Sequence, residues 1–153
     1  MKTFVIRHPK ENRKKCSLRH LCQRPDFEFH NAKDGFVFDA TNMTLLEIGA
    51  PVISPADAGR PILLLDSTWL KLPKMRSKVI GNFVPRSLPN GIKTAYPRTS
   101  KIAEDPDCGL ATVEALFAAQ YFMGTPDFSV LDGYAFAEKF LEINSSIFKK
   151  SLQ

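Results

Sequence analysis

Four apolar residues in succession, Ile62 to Leu65, lie between Pro61 and the polar triplet Asp66-Ser67-Thr68, with the chain's only tryptophan, Trp69, directly after it. A short apolar run with turn residues at both ends reads as a strand buried on both faces, which points to a parallel sheet covered by helices. In open α/β sheets ligands settle at the carboxyl ends of strands. Here that end presents a carboxylate, two hydroxyls and an indole. An alternative stays open: Asp66 or Thr68 only caps a following helix.

With 153 residues the chain is expected to form one domain, β-rich over about 1–100 and helical over about 108–153. No apolar run approaches the ~18 residues of a membrane span. Three cysteines, at positions 16, 22 and 108, make no disulfide framework and suit a reducing, cytoplasmic setting. Charge is segregated along the chain. Residues 1–24 carry eight bases and one acid, residues 71–101 carry eight bases and no acid, and residues 102–153 carry eight acids and three bases. Two basic segments flanking the central strand suggest a surface for a polyanion, RNA above all; a solvated basic face is the plainer reading.

Thr3 to His8 reads as a first strand, and residues 16–22 as a short helix with Leu18, Leu21 and Cys22 on one face. Ser17 falls in its first turn, where a hydroxyl and free backbone N–H groups either hold an anion or simply cap. Gly35 to Phe38 reads as a strand, Thr44 to Gly49 as strand or helical turn, and residues 55–59 as a turn or brief helix. Leu70 to Ile80 reads as helical, Phe83 to Asn90 as loop, and Ile92 to Tyr96 as a last strand. From Leu110 to Met123 apolar residues recur at helical spacing, and Gly124 ends that helix. Thr125-Pro126 suits the start of the next. The class is α/β with a mostly helical C-terminal half.

Cys16 and His20, with His8, Cys22 and His30 nearby, match no zinc spacing, so no metal is expected. Neither a Gly-x-Gly-x-x-Gly nor a Walker sequence occurs, and no Gly-x-Ser-x-Gly elbow. Four pieces remain: Lys15-Cys16-Ser17, Leu65 to Trp69, Arg86-Ser87-Leu88-Pro89, and Leu110-Ala111-Thr112-Val113-Glu114-Ala115. Two are helix starts carrying a hydroxyl, suited to a carboxylate. One sets a carboxylate beside an indole, suited to a cation.

In this order the pieces resemble the RNA aminocarboxypropyltransferases. Asp66-Ser67-Thr68-Trp69 is similar to the Asp-x-Thr-Trp of the DTW-domain tRNA-uridine enzymes and to the Asp-Cys-Ser-Trp of the archaeal and eukaryotic small-subunit rRNA enzymes. Thr112-Val113-Glu114-Ala115 matches the Thr-x-Glu-Ala of both. Lys15-Cys16-Ser17, Ser54-Pro55-Ala56-Asp57 and Phe140-Leu141-Glu142-Ile143-Asn144 resemble further motifs of the rRNA group. That group's Asn-Pro-x-Asn-Tyr-Gly stretch is replaced here by Tyr96-Pro97-Arg98 and an acidic loop, and its last aromatic-Gly pair by Phe136-Ala137.

The resemblance implies a SPOUT-like fold with a knotted C-terminal half, S-adenosylmethionine as donor and methylthioadenosine as product. The acceptor is a uridine-type base in rRNA or tRNA. Residue by residue, it implies Ser17 and the Thr112 amide at the donor carboxylate, and the Leu65 carbonyl at the ribose. Leu88, Leu110, Ala115 and Phe38 would lie about the adenine, with the Cys108 carbonyl at its amino group. Trp69 and Leu72 would pack the methyl and the sulfonium. Asp66 would orient or deprotonate the attacking nitrogen, so that Asp66→Asn spares binding and slows transfer. Arg13, Lys14, Lys15, Lys71, Lys74 and Arg76 would meet phosphates, and a monomer is expected. Rival readings are a SPOUT-type RNA methyltransferase and a non-catalytic RNA-binding or ribosome-assembly module.

Overall fold

In a computed structural model the described residues are 2–9, 16–68, 70–97 and 109–148. Trp69, Cys108, Arg13, Lys14 and Lys15 lie outside them. Five strands form one parallel sheet: β1 (Thr3–Arg7), β2 (Phe27–Asn31), β4 (Thr44–Leu46), β5 (Ile62–Asp66) and β7 (Val84–Arg86), in the order β2-β1-β5-β4-β7. The apolar run at 62–65 is the central strand, as its sequence requires: Ile62, Leu63 and Leu64 are buried. Its side chains alternate between two cores. Ile62 and Leu64 join Val5, Leu116, Phe117 and Phe140 on one face. Leu63, with Leu65 partly buried beside it, joins Ile6, Leu45 and Met75 on the other.

Helix α2 (Thr112–Phe122) covers the first face, with α3 (Ala137–Ile143) packed behind it. Its Ala118 and Ala119 are fully buried, small enough for the backbone to approach its neighbours closely. The second face carries α1 (Leu72–Arg76) and a two-stranded parallel ribbon of β3 (Phe38–Asp39) and β6 (Val79–Ile80). After β7 every described element is helical. No helix among the described residues is long and apolar enough to cross a membrane.

Several segments differ from the sequence expectation, each for a local reason. The helix expected over Leu70 to Ile80 is confined to Leu72–Arg76. Val79-Ile80 is β-branched and pairs with β3 instead, with the Phe38 and Ala40 amides donating to the Lys78 and Ile80 carbonyls at 2.8 Å each. Residues 83–90 contain a strand, because β7 is a sheet edge where Pro85 is tolerated. Strand β2 occupies the other edge. The strand expected at 35–38 narrows to Phe38–Asp39, and the segment 44–49 resolves as β4.

Ile92 to Tyr96 is not a strand. Its backbone groups are taken by side chains: Asn144 bonds the Lys93 N–H and C=O at 2.8 Å each, and Glu114 accepts from the Ala95 N–H at 2.9 Å. Residues 16–22 form only a 3-10 turn at Arg19–Leu21; Leu18 and Leu21 are buried while Cys22 is exposed. After Gly124 the next turn is 3-10, at Phe128–Leu131, and Asp127 caps it rather than Thr125.

Candidate active site

The carboxyl ends of β1 and β5 lie side by side, with Arg7 opposite Asp66 in register. Three of the motif pieces meet there. Asp66 is buried, and its Oδ1 accepts from the Thr112 hydroxyl at 2.9 Å while its Oδ2 accepts from the Cys16 thiol at 3.1 Å. Burial, with Asp66 alongside, pushes the Cys16 thiol up to about 12. Cys16 is therefore a proton donor to Asp66 and not a thiolate nucleophile.

Ser17 reaches α2 rather than capping its own turn. Its hydroxyl accepts from the Val113 N–H at 3.1 Å. Ala111, the residue at the N-cap, has no side chain to do this. Glu114 supplies the reciprocal half of a capping box, accepting from the Ala111 N–H at 2.8 Å. The first turn of α2 is thereby fixed from two sides. Thr112 at its first helical position keeps an amide with no intrahelical acceptor. Such an end favours an anion, and a carboxylate fits it.

Glu114 is fully buried and saturated. Oε1 accepts from the Thr94 hydroxyl (2.6 Å) and the Ala111 N–H, and Oε2 from the Ala95 N–H and the Tyr134 hydroxyl (3.0 Å). This ties the 92–96 segment to the start of α2. Asp57 does the same for β7. It is buried, accepts from the Ser54 N–H at 2.9 Å and from Arg86 Nε at 3.0 Å, and pairs with Arg60. Arg86 precedes Ser87-Leu88, so the Ser-Pro-Ala-Asp stretch holds the strand end that presents Leu88.

Leu88 and Leu110 are partly buried against the same core as α2, as is Cys16. Ala115 is half-buried on the second turn of α2. Phe38, expected beside the adenine, lies apart from Leu88. It packs on the opposite core, against Phe4 (5.8 Å between centroids) and His30 (5.3 Å), with the sheet between it and Leu88. The period-2 pattern of β3 is too short, at two residues, to have revealed which face it takes. Leu65 turns its side chain to that second core too, leaving only its backbone at the end of β5. Leu72 opens α1, half-buried, after Lys71.

Of the bases expected at phosphates, Lys74 is exposed and Lys71 half-buried. Arg76 is engaged within the protein: Nε donates to Glu47 at 2.7 Å, and the guanidinium lies over Phe83 at 4.7 Å. His20 places Nε2 2.7 Å from the Val130 carbonyl. Among the described residues no three His, Cys, Asp or Glu side chains converge as a metal site.

Sequence reasoning missed Arg7, which it counted only among the basic groups of the N-terminus. Its side chain is buried, Nη2 donates to Cys16 Sγ at 3.3 Å and to Cys22 Sγ at 3.4 Å, and Nε lies 3.6 Å from Asp66 Oδ2. The guanidinium stacks over Phe29 at 4.4 Å. The usable signal was the alternation of β1, which puts Arg7 on the inward face with Val5.

No protein-family model matches the sequence, and a search of curated proteins finds no match. Among solved structures the fold is similar to that of the SAM-dependent rRNA:acp-transferase Tsr3 from Vulcanisaeta distributa. The TM-score is 0.72 and the identity 25%, over 95% of this chain and 79% of that one.

Proposed function

We propose that this protein is an enzyme that transfers the 3-amino-3-carboxypropyl group of S-adenosylmethionine to a uridine-type base of rRNA, releasing methylthioadenosine. One observation carries the reading: Cys16-Ser17, Asp66 and Thr112-Val113 converge at hydrogen-bond distance at the end of the central strand, from stretches 46 to 96 residues apart. These are the residues through which the sequence resembles the aminocarboxypropyltransferases, and the likeness to the rRNA enzyme supports the same reaction.

The residues present suit the donor. The Ser17 hydroxyl and the amide end of α2 form a carboxylate cradle, and Leu88, Leu110 and Ala115 offer an apolar wall for an adenine. The Leu65 carbonyl suits ribose hydroxyls. Trp69 and Leu72 would pack the methyl and the sulfonium, and the Cys108 carbonyl the adenine amino group. Bound S-adenosylmethionine supplies an electrophilic methylene beside a good leaving group, so the protein's task is positioning. Both oxygens of Asp66 already accept hydrogen bonds, which favours anchoring over proton abstraction.

Lys71 and Lys74, with Arg13, Lys14 and Lys15, would meet the RNA backbone; Arg76 would join them only by leaving Glu47. A SPOUT-like, knotted C-terminal half belongs to the same reading. The test is nucleoside mass spectrometry of rRNA incubated with the protein and the donor. An aminocarboxypropylated uridine derivative is expected. A methylated nucleoside, or no new one, would overturn the proposal.

A further inference from the structure

We infer that Arg7 is a positioning residue for the donor's aminocarboxypropyl group, acting through Cys16 and Asp66 on the Thr112 end of the carboxylate cradle. This rests on the donor reading above. The hydrogen bonds converge on Asp66 from two sides. Arg7 Nη2 donates to Cys16 Sγ, the Cys16 thiol donates to Asp66 Oδ2, and the Thr112 hydroxyl donates to Asp66 Oδ1. Each link restrains the next, and a buried network of this kind holds its members in one arrangement.

The direction of the Thr112 bond has a consequence at the ligand end. With its proton committed to Asp66, the Thr112 oxygen faces the cleft as an acceptor only, suited to the donor's ammonium group. The Val113 amide is already held by Ser17, so carboxylate and ammonium would be read by adjacent atoms of one helical turn. Arg7 is 5% exposed, and its Nε has no hydrogen-bond partner among the described residues. A buried guanidinium held 3.6 Å from a carboxylate, short of a full bond, costs stability that packing alone would not require. Its place in the chain to Thr112 accounts for it. The stacking on Phe29 and the second thiol, Cys22, fix the plane of the fork. Lysine, a compact point charge without the planar fork, cannot reproduce that arrangement.

The test separates the two ends of the donor by calorimetry on the full chain, with S-adenosylmethionine and with methylthioadenosine, which lacks the aminocarboxypropyl group. Arg7→Lys is expected to weaken S-adenosylmethionine binding about tenfold or more and methylthioadenosine binding less than about twofold. Cys16→Ala, which buries no unpaired charge, is expected to show the same split, and it decides the question should Arg7→Lys not fold. Cys16→Ser keeps a group that both accepts and donates, and is expected to restore wild-type affinity. Equal weakening of both ligands, or weakening of neither, in the folded variants would overturn the inference. Wild-type protein that binds neither ligand would instead refute the donor reading itself.

Discussion

Replacing Glu114 by alanine is expected to cost about 4–6 kcal/mol of stability, enough to leave little folded protein at room temperature in a domain of ordinary stability. The reason is the saturation of its carboxylate. Two backbone N–H groups (Ala95 and Ala111) and two hydroxyls (Thr94 and Tyr134) all donate to it in a fully buried position. Alanine leaves four donors facing a cavity.

Glutamine distinguishes this account from simple space-filling. Either way round, its amide nitrogen faces one backbone N–H and one hydroxyl. The hydroxyl can rotate to accept; the backbone N–H cannot. Glu114→Gln is therefore expected to cost about 2–3 kcal/mol, one orphaned donor's worth, despite near-identical shape. Denaturant unfolding of both variants checks this through the midpoint. A glutamine variant as stable as the parent would show that the four distances do not describe working hydrogen bonds.

The second large effect is expected at Asp66. Asparagine there keeps a carbonyl for the Thr112 hydroxyl but turns an amide toward the Cys16 thiol proton and the Arg7 guanidinium. It also strips a buried charge of its partner, and breaking such pairs costs about 3–5 kcal/mol. The account predicts that Asp66→Asn loosens the cradle and weakens S-adenosylmethionine binding by about tenfold or more, with methylthioadenosine affected far less. A carboxylate serving as general base would behave differently: donor binding would survive and only turnover would fall. Measuring the donor Kd and kcat on the same preparation separates the two.

Much of the candidate site was legible because its motifs are local. Ile62 to Leu65 had no other reading in a chain of this size, and Asp66 had to emerge at its end. Thr112 could be placed at a helix start from the apolar spacing that follows it. What escaped depended on partners distant in sequence. Ile92 to Tyr96 reads as a last strand in the sequence, but Glu114 and Asn144 claim the backbone groups a sheet would need. Strands β2 and β7 are short edges whose pairing is set by neighbours rather than by their own pattern. Arg7 looked like one more base in a basic segment until the register set it opposite Asp66. Charge counts misled in the same way: Arg60 and Arg86 both pair with Asp57, and Arg76 with Glu47, so the basic surface is smaller than its residues suggest.

The fate of the cofactor tests the central claim most directly. Purified protein incubated with S-adenosylmethionine and rRNA, followed by chromatography and mass spectrometry of the spent nucleoside, is predicted to yield methylthioadenosine. Accumulation of S-adenosylhomocysteine, or unconsumed S-adenosylmethionine, would contradict it.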